Sequence, residues 1–236
     1  MNNAKKSMTI LYLVLIHLAL VVVLLESDFI DKLRLKIGGS SVEITPHFRD
    51  MVSYHKRIDG NVPNGAVIFI GDSLTQGLCV SAIAPVAVNY GIGNDTTVGV
   101  LKRLHDYESI NRAKAVVLAI GINDMEFRSN DEILLNIKAI RSYIPSTVPV
   151  VISGVLPIDV AESLSWEVGR IVDLNTDLKN LAESIESTIF LDSGALMQDG
   201  EGRLKRALHI GDGVHLNAAG NEIWINSLKK ALTERL

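Results

Sequence analysis

Five short apolar runs, each unbroken rather than alternating with polar residues, constrain the fold of this chain more than any other feature. They are Val67–Ile70, Val86–Asn89, Ala115–Ala119, Val148–Ser153 and Ile189–Leu191. A strand with one wet face alternates apolar and polar side chains. A strand covered on both faces is apolar throughout, so these runs read as parallel strands inside a layered protein. Longer stretches with helical spacing separate them. Thr97–Tyr107 carries Val98, Leu101 and Leu104, and Asp131–Tyr143 carries Ile133, Leu134, Ile137 and Ile140. Ser163–Ile185 places Ile171, Leu174, Leu178, Leu181 and Ile185 at steps of three and four, and Ala218–Leu236 closes with Ile223, Trp224, Leu228 and Leu232. This alternation predicts right-handed βαβ units and an α/β fold, a five-stranded parallel sheet with helices on both faces. The 236 residues suffice for one such domain and an appendage.

The appendage is at the amino terminus. The mean hydropathy of +0.26 is high, and one segment does much to raise it. Met8–Leu25 is eighteen residues long with no Asp, Glu, Lys or Arg, flanked by Lys5 and Lys6 before it and Glu26 and Asp28 after it. As a helix it covers about 27 Å, close to the ~30 Å of a hydrocarbon core. A cleaved signal peptide needs a shorter apolar region and a small-x-small site, which Val23-Leu24-Leu25-Glu26-Ser27-Asp28 lacks. The expectation is a tail over residues 1–7 and an uncleaved transmembrane anchor over 8–25, with His17 a neutral passenger in it. A stalk over 26–59 contains Gly38-Gly39-Ser40-Ser41 and a short helix over Pro46–Ile58, and the main domain runs over 60–236. Lys5 and Lys6 and the very short tail place the amino terminus inside and the domain outside the cytoplasmic membrane.

A formal net charge of −4, with both signs mixed along the chain, lacks the basic stripe of a nucleic-acid binder. The single cysteine, Cys79, excludes an intramolecular disulfide and a multi-cysteine metal site, and is expected as a small buried apolar side chain.

In an open parallel sheet, ligands bind beyond the carboxyl ends of the strands, so the residues just after each run carry the chemistry. Three such loops read Gly71-Asp72-Ser73, Gly91-Ile92-Gly93-Asn94-Asp95 and Gly121-Ile122-Asn123-Asp124, and a fourth polar cluster, Asp212-Gly213-Val214-His215, precedes the last helix. A serine hydroxyl is a poor nucleophile until a base takes its proton. His215 supplies a base, and Asp212, three residues earlier, can orient its imidazole. A backbone N–H of the 91–94 loop, the amide of Ser73 and the side-chain NH₂ of Asn123 form three donors for the oxyanion of an acyl-transfer intermediate. Each cluster alone has a plainer reading: a capped turn at Asp72-Ser73, a left-handed turn at Gly91–Asn94, a capped loop at Gly121, a surface ion pair at Asp212 and His215. Co-occurrence of four unlike parts of one mechanism favours catalysis. Asp72, Gly91, Asp95, Gly121 and Asp124 are then loop supports. His47, His55, His105 and His209 have no comparable partner spacing and are surface or packing residues, with His209 near enough to the last cluster to stand as a secondary rival base.

The stretches GDSLTQG, NYGIGNDTT, AIGINDM and GDGVHLN, in this order, resemble the motifs of the SGNH hydrolases, also called the GDSL esterase/lipase family. The resemblance covers about residues 60 to 230. It implies Ser73 as nucleophile, Asn123 as an oxyanion donor, and Asp212 with His215 as the rest of a triad. In the family a glycine commonly stands directly before the Asp-Thr of the second motif. Here that position is Asn94, with glycines at 91 and 93. The donor required is a backbone N–H, and asparagine tolerates left-handed backbone, so Gly93 and Asn94 both stand as donors. The resemblance further implies a three-layer α/β/α sandwich of flavodoxin-like type, no metal and no cofactor. Its implied reaction is hydrolysis of a carboxylic ester, an acetylated glycan or small lipid ester, through an acyl-enzyme. The rival functions are acyl transfer to a surface sugar by the same site, a non-catalytic glycan-binding module, and a nucleotide-binding domain. The last lacks a Gly-x-x-x-x-Gly-Lys pattern after the first strand.

Overall fold

A computed structural model describes residues 2–26, 44–159 and 166–234, in two compact units, Met1–Thr45 and Pro46–Leu236. The first unit contains helix α1 (Asn2–Glu26). Its described side chains, residues 6–20, are all exposed, and His17 Nδ1 donates to the Leu13 carbonyl one turn back at 2.7 Å. Among the described residues no helix is long and apolar enough to cross a membrane. The expected anchor over 8–25 is therefore not carried by the described residues: the side chains of 21–25 lie outside them, as do residues 27–43 of the expected stalk.

The second unit begins with α2 (Pro46–Asp59). This helix was expected within a stalk but is built into the unit. Phe48, His55 and Asp59 are buried, His55 Nδ1 pairs with Tyr107 Oη at 3.1 Å, and the Asp59 carboxylate accepts from Tyr90 Oη at 2.7 Å. The chain continues through β1 (Val67–Gly71), α3 (Ser73–Gln76), β2 (Ala87–Gly91), α4 (Thr97–Arg103), β3 (Ala115–Ala119), α5 (Asn130–Tyr143), β4 (Val150–Ser153), α6 (Trp166–Glu183), β5 (Thr188–Leu191) and α7 (Ala218–Glu234). All five strands are parallel, in the order β2-β1-β3-β4-β5.

Both faces of the sheet are covered, as the unbroken apolar runs require. Ile68, Ile70, Val116, Leu118, Val150 and Ile152 point into one core with Val100 of α4, Ile133 and Ile137 of α5, and Leu174 and Leu178 of α6. The intervening Val67, Phe69, Ala115, Val117 and Val151 enter the other, with Trp224, Leu228 and Leu232 of α7. The result is the expected three-layer α/β/α sandwich.

Element ends moved for local reasons. Pro149 has no N–H to give a ladder, and β4 starts after it at Val150 rather than at Val148. The helix expected over Thr97–Tyr107 remains α-helical only to Arg103 and tightens into a 3₁₀ turn over Leu104–Asp106. Helix α5 begins where Ser129 and Glu132 form a reciprocal capping box. Residues 163–165 of the helix expected over Ser163–Ile185 lie outside the described residues.

Candidate active site

β1 and β2 deliver their last residues, Gly71 and Gly91, side by side at the carboxyl edge of the sheet. Both must be glycine on contact grounds. A Cβ at Gly71 would stand 2.2 Å from the Ala119 carbonyl oxygen, and one at Gly91 would stand 2.3 Å from the Gln76 nitrogen. This close approach lets the chain turn from β1 straight into α3. Asp72 caps that helix, its Oδ1 accepting from the Leu74 N–H at 3.0 Å, and Ser73 becomes the first helical residue, half-buried at the cleft.

The Asp72 carboxyl is itself 2% exposed. Burial pushes it up to about 7, with the carboxylates of Asp95 and Asp124 adding and the Leu74 N–H opposing. A raised carboxyl binds protons in the folded state that the unfolded chain has already released. Stability is therefore full below about 4 and falls as pH rises towards about 7. Urea unfolding across pH 4–8 should show wild type losing on the order of a few kcal/mol relative to Asp72→Asn, which keeps the Oδ1 cap but cannot ionise. Parallel pH profiles for the two proteins would exclude Asp72 as the titrating group.

Opposite Ser73, the loop before α7 brings His215 Nε2 to 2.9 Å from Ser73 Oγ. Asp212 Oδ2 lies 2.6 Å from His215 Nδ1, while Asp212 Oδ1 accepts from the N–H groups of Val214 and His215 at 3.0 and 2.9 Å. The Val214 N–H first, then the imidazole and N–H of His215, hold this carboxyl down to about 2. Ser73, His215 and Asp212 thus form one continuous hydrogen-bonded chain, assembled from residues 142 positions apart.

The two remaining loops face the same edge. Asn94 adopts a left-handed backbone, φ 60°, at the position where the SGNH motif carries glycine. The Gly93 N–H is engaged by Gln76 Oε1, whereas no hydrogen bond among the described residues engages the Asn94 N–H. Gly121 has φ 132°, which turns β3 into the 3₁₀ turn Asn123–Glu126. Asn123 spends one amide hydrogen on the Asp95 carbonyl at 2.9 Å and keeps the other. The acids expected as loop supports are fully buried. Asp124 receives the N–H and hydroxyl of Thr97 at the start of α4, and Asp95 receives the Thr96 N–H and Arg103 Nε, the latter at 2.8 Å.

One expectation changes. Cys79 is exposed rather than buried, because Leu78 and Ile83 take the inward positions of its segment. Of its two readings, His209 takes the packing one: it stands 8% exposed and both ring nitrogens are occupied, Nδ1 by two backbone N–H groups and Nε2 by Asp159. Sequence reasoning missed Arg103, whose guanidinium joins Asp95 to the Gly71 carbonyl beneath the site, and Gln76, which holds the Gly93 N–H. An arginine one turn after Val100 on an apolar helix face was the available signal for the first. Among the described residues no three His, Cys, Asp or Glu side chains are grouped to hold a metal ion.

A family model, the GDSL-like Lipase/Acylhydrolase family, matches residues 69–223. The chain belongs to this family. It is 32% identical over 139 residues to the human platelet-activating factor acetylhydrolase IB subunit alpha2, a match covering 51% of the chain and 60% of that protein. The matched region thus spans less than two thirds of that curated relative. A Streptococcus pneumonia protein assigned as a platelet activating factor superposes with a TM-score of 0.71 at 23% identity, over 79% of this chain and 92% of that one. A catalytic mutant of Axe2, an acetylxylan esterase from Geobacillus stearothermophilus, gives 0.60 at 18% identity, over 72% and 96%. At such identities these two superpositions speak to the fold, which all three proteins share.

Proposed function

We propose that this acylhydrolase cleaves an acetyl-type ester of a glycan through an acyl-enzyme on Ser73. The observation that carries this reading is the unbroken chain from Ser73 Oγ through His215 to Asp212. Ser73 Oγ attacks the ester carbonyl as its proton passes to His215 Nε2. Asp212 holds the opposite ring nitrogen and stabilises the imidazolium. The oxyanion is received by the Ser73 N–H, the second amide hydrogen of Asn123 and the N–H of Asn94, since the Gly93 N–H is taken by Gln76. Collapse breaks the C–O bond to the alcohol, which leaves with the proton from His215. Water then gives a proton to His215 and attacks the acyl carbon. Ser73 departs with that proton and the acid is released.

Support for an acetyl substrate comes from the relatives, one a platelet-activating factor acetylhydrolase and one an acetylxylan esterase. Catalytic mutants of the latter fall at a serine and at an aspartate and histidine three residues apart, the spacing of Asp212 and His215. An ester panel of graded acyl length, including acetylated xylo-oligosaccharides, tests this on the full chain in mild detergent. Turnover confined to acetyl esters supports it, and preference for long acyl chains overturns it. Acetate free of label in ¹⁸O-water, with acetyl found on an added sugar, would replace hydrolysis by transfer. Asn123→Ala should lower kcat by about 10²–10³-fold with KM little changed, as loss of an oxyanion donor does.

We also propose that residues 8–25 tether the enzyme to the cytoplasmic membrane with the catalytic unit outside, on the strength of eighteen residues without a formal charge between Lys6 and Glu26. Association with membranes that survives carbonate washing, and is lost when residues 1–26 are deleted, is the expected result. Association unchanged by the deletion would remove the anchor.

A further inference from the structure

The loop that carries Asp212 and His215 is wrapped around a second imidazole. His209 Nδ1 lies 3.0 Å from the nitrogens of both Gly211 and Gly213. Two N–H groups converge on one ring nitrogen only if that nitrogen bears no hydrogen, so the ring hydrogen is on Nε2. Nε2 faces Asp159 Oδ2 at 3.2 Å. The Asp159 N–H in turn donates to the Gly213 carbonyl at 2.7 Å, and the Ile210 N–H donates to the His215 carbonyl at 2.9 Å, closing the loop upon itself. Gly211 and Gly213 take φ of 112° and 80°, and a Cβ at Gly213 would stand 2.0 Å from the Asp159 carbonyl oxygen. Asp212, between these two glycines, is exposed, and its hydrogen bonds run to Val214 and His215 of the same turn. The buried ring of His209 is the fixed point against which this turn is set.

We propose that His209 is a positioning residue for the acyl-transfer site: its bare Nδ1, oriented by Asp159, holds the turn that aligns Asp212 and His215 with Ser73. This rests on the roles proposed above for those three residues. The hydrogen-bond partners of the His209 ring are Asp159, Gly211 and Gly213 and not Ser73, so its effect is on alignment, and a misplacement of about 1 Å can cost on the order of 10²-fold in rate.

Three substitutions separate the two ends of the ring. His209→Asn places an amide oxygen near the Nδ1 position and keeps the acceptor. His209→Gln places its amide near Nε2 and keeps only the link to Asp159, and His209→Leu keeps neither. The expected kcat is within about fivefold of wild type for Asn and about 10–100-fold lower for Gln and Leu, with KM within about twofold throughout. Melting temperatures are measured in parallel, and the Asn–Gln comparison stands even if the Leu variant does not fold. ¹⁵N spectra of the histidine rings in the full chain should place the His209 hydrogen on Nε2. A hydrogen on Nδ1, or Gln as active as Asn, would overturn the proposal. The spectra read the brace itself, so they remain decisive even if Ser73→Ala keeps turnover and the catalytic reading falls.

Discussion

Ser73→Ala should leave the fold intact and lower kcat by about 10⁶-fold, the cost of losing the serine nucleophile in a well-studied serine hydrolase. The substitution removes one oxygen. Ser73 is half-buried at the first position of α3, where Asp72 provides the cap, so the helix loses none of the bonds that define it. What it does lose is the 2.9 Å contact with His215 Nε2. His215→Ala should cost a similar amount, and the double variant little more than either, because nucleophile and base act in the same step. A residual rate above water is expected from the oxyanion donors, which neither change touches. The measurement is steady-state turnover of an aryl acetate beside a thermal melt. A correctly folded Ser73→Ala enzyme within tenfold of wild type would end the nucleophile assignment.

The fold was legible because burial on both faces forces apolar residues onto consecutive positions, and each of the five runs became a strand. The candidate site was legible for a related reason. Strand ends must carry the ligand-facing residues, and glycines mark Gly71 and Gly91 as places where backbones meet. Asp212 and His215 could be paired from a spacing of three within one turn. What escaped depends on contacts between distant segments. Helix α2 looked like stalk because its composition is polar, yet Asp59 finds Tyr90 and Ser109, 31 and 50 residues away. The packing role of His209 was legible, but not that its Nδ1 faces two glycine amides. The engagement of the Gly93 N–H by a glutamine side chain three residues past Ser73 is a contact no spacing rule encodes.

Arg103→Met should destabilise the unit by about 3–5 kcal/mol. The Arg103 and Asp95 side chains are both fully buried, with Nε and Oδ2 2.8 Å apart. The guanidinium also reaches the Tyr107 hydroxyl at 3.2 Å and the Gly71 carbonyl at 3.3 Å. Methionine fills much of the volume and removes all of these partners, leaving the Asp95 carboxylate with the Thr96 N–H. Burial already pushes that carboxyl up to about 6 against the pull of Arg103, and without the guanidinium it rises further. A raised carboxyl costs stability as pH rises, so the deficit of Arg103→Met relative to wild type should be larger at pH 8 than at pH 5. Adding Asp95→Asn should recover part of the loss and flatten this pH dependence, because the stranded charge is gone. Turnover should fall as well, since the Asp95 carbonyl holds Asn123 and Gly71 supports the turn to Ser73. Chemical denaturation of the four proteins of this cycle at both pH values measures the coupling. A loss under about 1 kcal/mol for Arg103→Met, or a deficit that shrinks as pH rises, would mean that the pair does not hold the two loops together.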